Sequence, residues 1–175
     1  ANITNISINC VTNTYTVGGT ISGLSGSVVF RNNGGNDLTV SANGSFTFST
    51  AVADASAYAV TVYTQPASPS QTCIVTNGSG TMNGANITNV SVSCSTNSFT
   101  VGGAVSGLSG TVVLRNNAGD DLSISASGSF TFATSIVSGN AYSVTVQTQP
   151  TAQTCTVTSG SGTVGAANIT GITVS

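Results

Sequence analysis

Residues 16–48, TVGGTISGLSGSVVFRNNGGNDLTVSANGSFTF, recur 84 positions later as TVGGAVSGLSGTVVLRNNAGDDLSISASGSFTF, residues 100–132. Between residues 15–66 and 99–150, 33 of 52 positions are identical, so both copies are expected to build one and the same structure. Beyond Pro66 the first copy reads ASPSQTC where the second reads TAQTC, and a length change of this kind marks a loop. The segment ANITNISIN at Ala1 returns as ANITNVSVS at Ala85 and as ANITGITVS at Ala167. Three copies of one strand therefore frame two copies of everything else. The chain closes where a further repeat would begin, and the expectation is a piece of a longer array.

Within each copy the apolar residues alternate. Tyr15, Val17, Gly19 and Ile21 are interleaved with Thr16, Gly18 and Thr20; Leu38 and Val40, Phe46 and Phe48, and Tyr58, Val60 and Val62 follow the same rule. A period of two is the signature of strands with one buried face. The segments Asn33-Gly34-Gly35-Asn36 and Ala42-Asn43-Gly44-Ser45 supply residues that tolerate positive φ at hairpin corners. No stretch has helical spacing with caps, and the β-branched content opposes helix. Six or seven short strands in each repeat predict an all-β chain of two tandem two-sheet sandwiches, about 84 residues each. The expected division is a strand at 1–9 that completes a preceding repeat or a neighbouring chain, a first repeat at 10–94 and a second at 95–175.

Charged residues make up 3% of the chain, two Arg and four Asp, against a usual ~25%. Clustered Lys and Arg, which nucleic acid and anionic membranes both require, cannot be assembled from two isolated Arg. No apolar run approaches the roughly 18 residues of a membrane span. With 39% apolar residues the chain nevertheless has enough hydrophobic material to fold. His, Lys and Glu are absent, so Ser and Thr have no neighbouring general base, and the four Asp read as turn residues. The expectation is a protein that is not an enzyme and that has no cofactor.

Four Cys without a CxxC pair and without His make a zinc site a poor reading and favour disulfides in an oxidising compartment. Cys73 opens Cys73-Ile74-Val75-Thr76 and Cys94 closes Val90-Ser91-Val92-Ser93-Cys94. If these strands form a hairpin that turns near Gly80 to Gly84, the two Cys face each other at a non-hydrogen-bonded pair. Cys10 and Cys155 are then left for neighbouring repeats or chains. The alternative pairs Cys10 with Cys73 and Cys94 with Cys155, as an inter-sheet bridge would.

Arg31 and Asp37, with Arg115 and Asp121 as their counterparts, flank the Asn-Asn turn and read as an ion pair across a hairpin mouth. Asp120 and Asp121 are the weaker alternative, a Ca²⁺ site made of carboxylates and turn oxygens. Tyr58 and Tyr142 open the strands Tyr-Ala-Val-Thr-Val and Tyr-Ser-Val-Thr-Val and are expected at the core edge, with sugar stacking as the alternative.

The succession Val-Gly-Gly-Thr-Ile-Ser-Gly-Leu-Ser-Gly, a Val-Val strand, Asn-Gly-Ser-Phe-Thr-Phe and Tyr-x-Val-Thr-Val resembles the immunoglobulin-like repeats of bacterial secreted surface proteins. It is also similar to carboxypeptidase-regulatory-like and Cna-B-type sandwiches. The resemblance implies tandem immunoglobulin-like domains serving as an extracellular, cell-surface structural module of a fibre, pilus-like filament or adhesin stalk, with copies of itself as partners. Cna-B-type domains often carry a Lys–Asn crosslink, which a chain without Lys cannot form. Disulfides would take its place. The alternative function is a module that binds carbohydrate or another surface ligand, and ice binding through Thr-rich strands ranks after it.

Overall fold

The alternation read from the sequence becomes twenty short strands in the computed structural model, which describes residues 4–175 and contains no helix among them. The chain forms two compact units. One takes the chain to Thr64 together with Cys73–Cys94, the other Gln65–Thr72 together with Ser95–Ser175. Residues 65–72, expected in the first repeat, thus group with the second unit. The two extra residues of the first copy lie in this segment, where the Ser70 N–H donates to Ser138 Oγ at 2.9 Å.

The strands of the first unit are β1 (Thr14–Tyr15), β2 (Val17–Ser22), β3 (Val28–Asn32), β4 (Asn36–Val40), β5 (Gly44–Thr47), β6 (Val52–Ala53), β7 (Ala57–Thr64), β8 (Gln71–Thr76), β9 (Ser79–Thr81) and β10 (Ile87–Thr96), of which the first two residues of β8 and the last two of β10 are grouped with the second unit. They form a sheet of order β5-β2-β10-β8, a second of order β4-β3-β7-β9 and a ribbon β1-β6. The second unit repeats the plan with β11 (Ser98–Phe99), β12 (Val101–Val105), β13 (Val112–Asn116), β14 (Asp120–Ile124), β15 (Gly128–Thr131), β16 (Ile136–Val137), β17 (Ala141–Thr148), β18 (Val157–Thr158), β19 (Ser161–Thr163) and β20 (Ile169–Val174). Its sheets are β15-β12-β20-β18 and β14-β13-β17-β19, with the ribbon β11-β16. Each unit is an all-β fold of the sandwich type.

Alternation decides which side chains enter the core. In β3, Val28, Phe30 and Asn32 are buried while Val29 and Arg31 between them are more open. Val17, Phe30, Phe48, Met82, Val90 and Val92 fill the first core, and Val101, Leu114, Phe132, Val164, Ile172 and Val174 the second. Each such side chain contributes about 1.5–3 kcal/mol by leaving water. The Phe30 and Phe46 rings stand 5.0 Å apart, and Phe130 meets Phe132 edge to face at 5.9 Å.

The strand that heads each repeat closes the sheet of the repeat before it. Strand β10, with the sequence that begins the second copy, runs parallel to β2, placing Val90 beside Gly19 and Val92 beside Ile21. Strand β20 does the same on β12, with Ile172 beside Gly103 and Val174 beside Val105. A parallel pair needs a long connection, and most of a unit lies between the two strands. The approach is close enough that a Cβ at Gly19 would overlap the Val90 carbonyl, and one at Gly103 the Ile172 carbonyl. Glycine at these two places is therefore a packing requirement.

The hairpin expected between the Cys73 and Cys94 strands takes a different course. Strands β8 and β10 are neighbours, but the chain between them leaves their sheet, and β9 pairs with β7 in the other one. Tyr58 lies opposite Gly80 there, with its ring over the glycine, and Met82 enters the core at 1% exposure. A plain hairpin loop would leave both apolar groups in water, and this burial is the physical reason for the detour.

Candidate functional site

Three polar features recur in both units and carry what chemistry the chain has: the Asn-Asn turn, the Arg–Asp pair beside it and the cysteines. The turn joins β3 to β4. The Gly35 N–H donates to the Asn32 carbonyl at 3.3 Å while Asn33 and Gly34 take φ of 50° and 73°, a type I′ turn. Its twin has Asn117 at 48° and Ala118 at 60°.

The turn asparagines also bind sideways. Asn32 Oδ1 accepts from the Ala59 N–H at 3.1 Å, and Asn33 Nδ2 donates to the Ala57 carbonyl at 3.0 Å. In the second unit Asn116 and Asn117 make the same bonds to Ser143 and Ala141, at 3.2 and 2.9 Å. Asn32 and Asn116 are buried, so their bonds satisfy side-chain oxygens withdrawn from water. The sequence reading missed this role. Its signal was the Arg-Asn-Asn triplet, identical in both copies.

Arg31 and Asp37 face each other in the β3–β4 register and join through two hydrogen bonds, Nε to Oδ1 at 2.6 Å and Nη2 to Oδ2 at 2.8 Å. The Arg31 guanidinium also lies 3.4 Å above the centre of the Tyr63 ring. Arg115 donates the corresponding pair of hydrogen bonds to Asp121, with Nη2 to Oδ2 at 2.7 Å. The guanidinium bonds hold both carboxyls below the ordinary carboxylate range and push both arginines up. Of the Ca²⁺ candidates, Asp121 thus has both oxygens on Arg115, and Asp120 Oδ2 accepts from the Thr134 N–H at 3.0 Å. Among the described residues no group of three or more His, Cys, Asp or Glu comes together.

Beside the first turn lies an open cleft of about 490 Å³ lined by Asn32, Asn33, Asn36, Thr50 and Ser56. A smaller one of about 220 Å³ occupies the matching place beside Asn116, Asp120 and Ile136. Asn36 Nδ2, shielded from solvent at the first cleft, has no hydrogen-bond partner. Tyr58 and Tyr142 lie in the cores at 6% and 9% exposure, away from any sugar-stacking platform.

Cys73 and Cys94 form a disulfide across neighbouring strands β8 and β10, with a Cα separation of 4.0 Å. The alternative inter-sheet pairing of Cys10 with Cys73 and Cys94 with Cys155 is therefore not the one formed. Cys10 is an exposed free thiol and Cys155 a buried one. The Gln149 side chain holds the Cys155 backbone at both its N–H and its carbonyl, at 2.7 and 3.0 Å. Of the expected strand Ala1–Asn9, residues 1–3 lie outside the described residues. Residues 4–13 have no regular secondary structure, and Ile6, Ile8 and Val11 are 79%, 84% and 82% exposed.

Compared with protein-family models and with curated proteins, the chain has no match. Its class accordingly rests on its own architecture: an all-β, sandwich-type tandem repeat with a disulfide between adjacent strands. Among the described residues no helix is long and apolar enough to cross a membrane.

Proposed function

We propose that this chain is a structural extracellular module, repeated end to end in a bacterial surface fibre, pilus-like filament or adhesin stalk, and joined to copies of itself by β-strand complementation and disulfides. One observation carries the reading. Residues 4–10 have the apolar alternation of β10 and β20, each seated in a sheet, yet Ile6 and Ile8 stand in water. A strand of this kind is what an exposed sheet position in another copy accepts.

The remaining chemistry agrees with it. Both Arg and two of the four Asp are joined in exposed pairs beside matched turns, which leaves few unpaired charges that would need partners on assembly. The disulfide suits an oxidising, extracellular setting. No catalytic role is assigned. Electron microscopy of the native material tests the proposal, with filaments of axial repeat near one or two unit lengths as the expected result. A monomer at high concentration, unaffected by deletion of residues 1–11, would overturn it.

A further inference from the structure

We infer that residues 4–10 of one copy take the place of β20 in a second copy, and that Cys10 closes a disulfide with Cys155 of that second copy. The inference rests on the fibre reading in taking another copy as the partner. The register decides it. In the second unit β18 and β20 are antiparallel, with Val157 opposite Val174 and Thr158 opposite Thr173. Thr156 and Ser175 continue the ladder through mutual backbone hydrogen bonds of 2.8 and 3.1 Å. One step further, Cys155 faces the position that follows Ser175.

Aligning Ala1-Asn2-Ile3-Thr4 on Ala167-Asn168-Ile169-Thr170 puts Ile6 on Ile172, Ile8 on Val174 and Cys10 on that facing position. The first unit already contains the finished arrangement. There the same alignment puts Ile6 and Ile8 on Val90 and Val92, each 1% exposed, and Cys10 on Cys94, which is bonded to Cys73, the counterpart of Cys155. The donor thus replaces the apolar side chains it displaces with equally apolar ones. Asn5 and Ser7 fall on the exposed positions of Gly171 and Thr173. Strand-for-strand exchange leaves the contacts nearly unchanged, and the added disulfide is what favours the exchanged state. Head-to-tail contacts of this type grow as open chains wherever the rotation between copies does not close a ring.

The covalent step needs an oxidant, a small-molecule disulfide such as oxidised glutathione. The exposed Cys10 thiolate attacks one sulfur of it and expels one glutathione thiolate. Cys155, uncovered as β20 leaves, attacks Cys10 Sγ of the mixed disulfide and expels the second glutathione. Two electrons pass from the two cysteines to glutathione disulfide, and each cysteine gives up one proton.

The test mixes unlabelled and ¹⁵N-labelled copies of the 175-residue chain in a glutathione redox buffer and maps the peptides without reduction. Cys10–Cys155 peptides with one light and one heavy half are expected, together with a ladder on non-reducing gels that Cys10→Ser removes. Cys10–Cys10 links or glutathionylated Cys10 without Cys10–Cys155 would overturn the inference, as would Cys10–Cys155 peptides of one isotope only, which form within a chain. The variant Ile6→Asp with Ile8→Asp alters only exposed side chains of the free copy, and its cross-link yield should fall at least tenfold. An unchanged yield would mean that the thiols meet without strand docking. Filaments that persist in Cys10→Ser would leave the fibre reading standing while the covalent link failed.

Discussion

At the scale of single residues, the asparagines of the turn do more than shape it. Asn32 and Asn116 are buried acceptors for the N–H groups of Ala59 and Ser143, and Asn32→Ala or Asn116→Ala leaves a donor without a partner. Each should cost about 1–3 kcal/mol in urea titration. The charged pair beside them sets a pH dependence. The folded-state carboxyls of Asp37 and Asp121 are depressed by Arg31 and Arg115, so their stabilisation is complete above the ordinary carboxylate range near pH ~4 and is lost as pH falls through the lower folded values. Melting temperature should decline on acidification through that window, and Arg31→Gln with Arg115→Gln should flatten the decline. Added salt should do so too, because both pairs are exposed. The pairing of Arg31 with Asp37 was legible from their symmetric placement about the turn. The hydrogen bonds of Asn32 were not, because Ala59, its partner, lies 27 residues away on another strand.

At the scale of elements, the parallel neighbours of β2 and β12 carry the fold. They require a missing side chain at Gly19 and Gly103, where any Cβ would collide with backbone of the partner strand. Gly19→Ala and Gly103→Ala should each destabilise their unit by at least about 2 kcal/mol, since the clash is with a carbonyl that cannot rotate away. Alanine at Gly35 meets nothing within 4 Å and should be tolerated, which makes it the control in a denaturant series. The strands themselves were readable from alternation. Their order was not: periodicity says which residues point inward, but not whether the segment after Cys73 returns to its own sheet or crosses to the opposite one. Burial of Met82 and the Tyr58 ring over Gly80 settle that choice.

At the scale of the molecule, the two units share a plan and differ in their staples. The first has the Cys73–Cys94 bond, whereas the second has Cys155 as a free thiol. Cys73→Ser with Cys94→Ser should lower the stability of the first unit by about 3 kcal/mol, the loop-closure value for a separation of 21 residues, and calorimetry of the variant measures it. What the sequence by itself determined was the repeat, the all-β class, the inward and outward faces of the strands and the candidate partners of each cysteine. These are local properties, carried by period and spacing along the chain. The tertiary structure alone decided that the segment after Cys73 crosses to the opposite sheet, that residues 65–72 group with the second unit, and that Asn32 and Asn116 bond to Ala59 and Ser143 on another strand. These depend on which distant segments lie side by side, and burial of shared apolar surface, which no single segment contains, makes that selection.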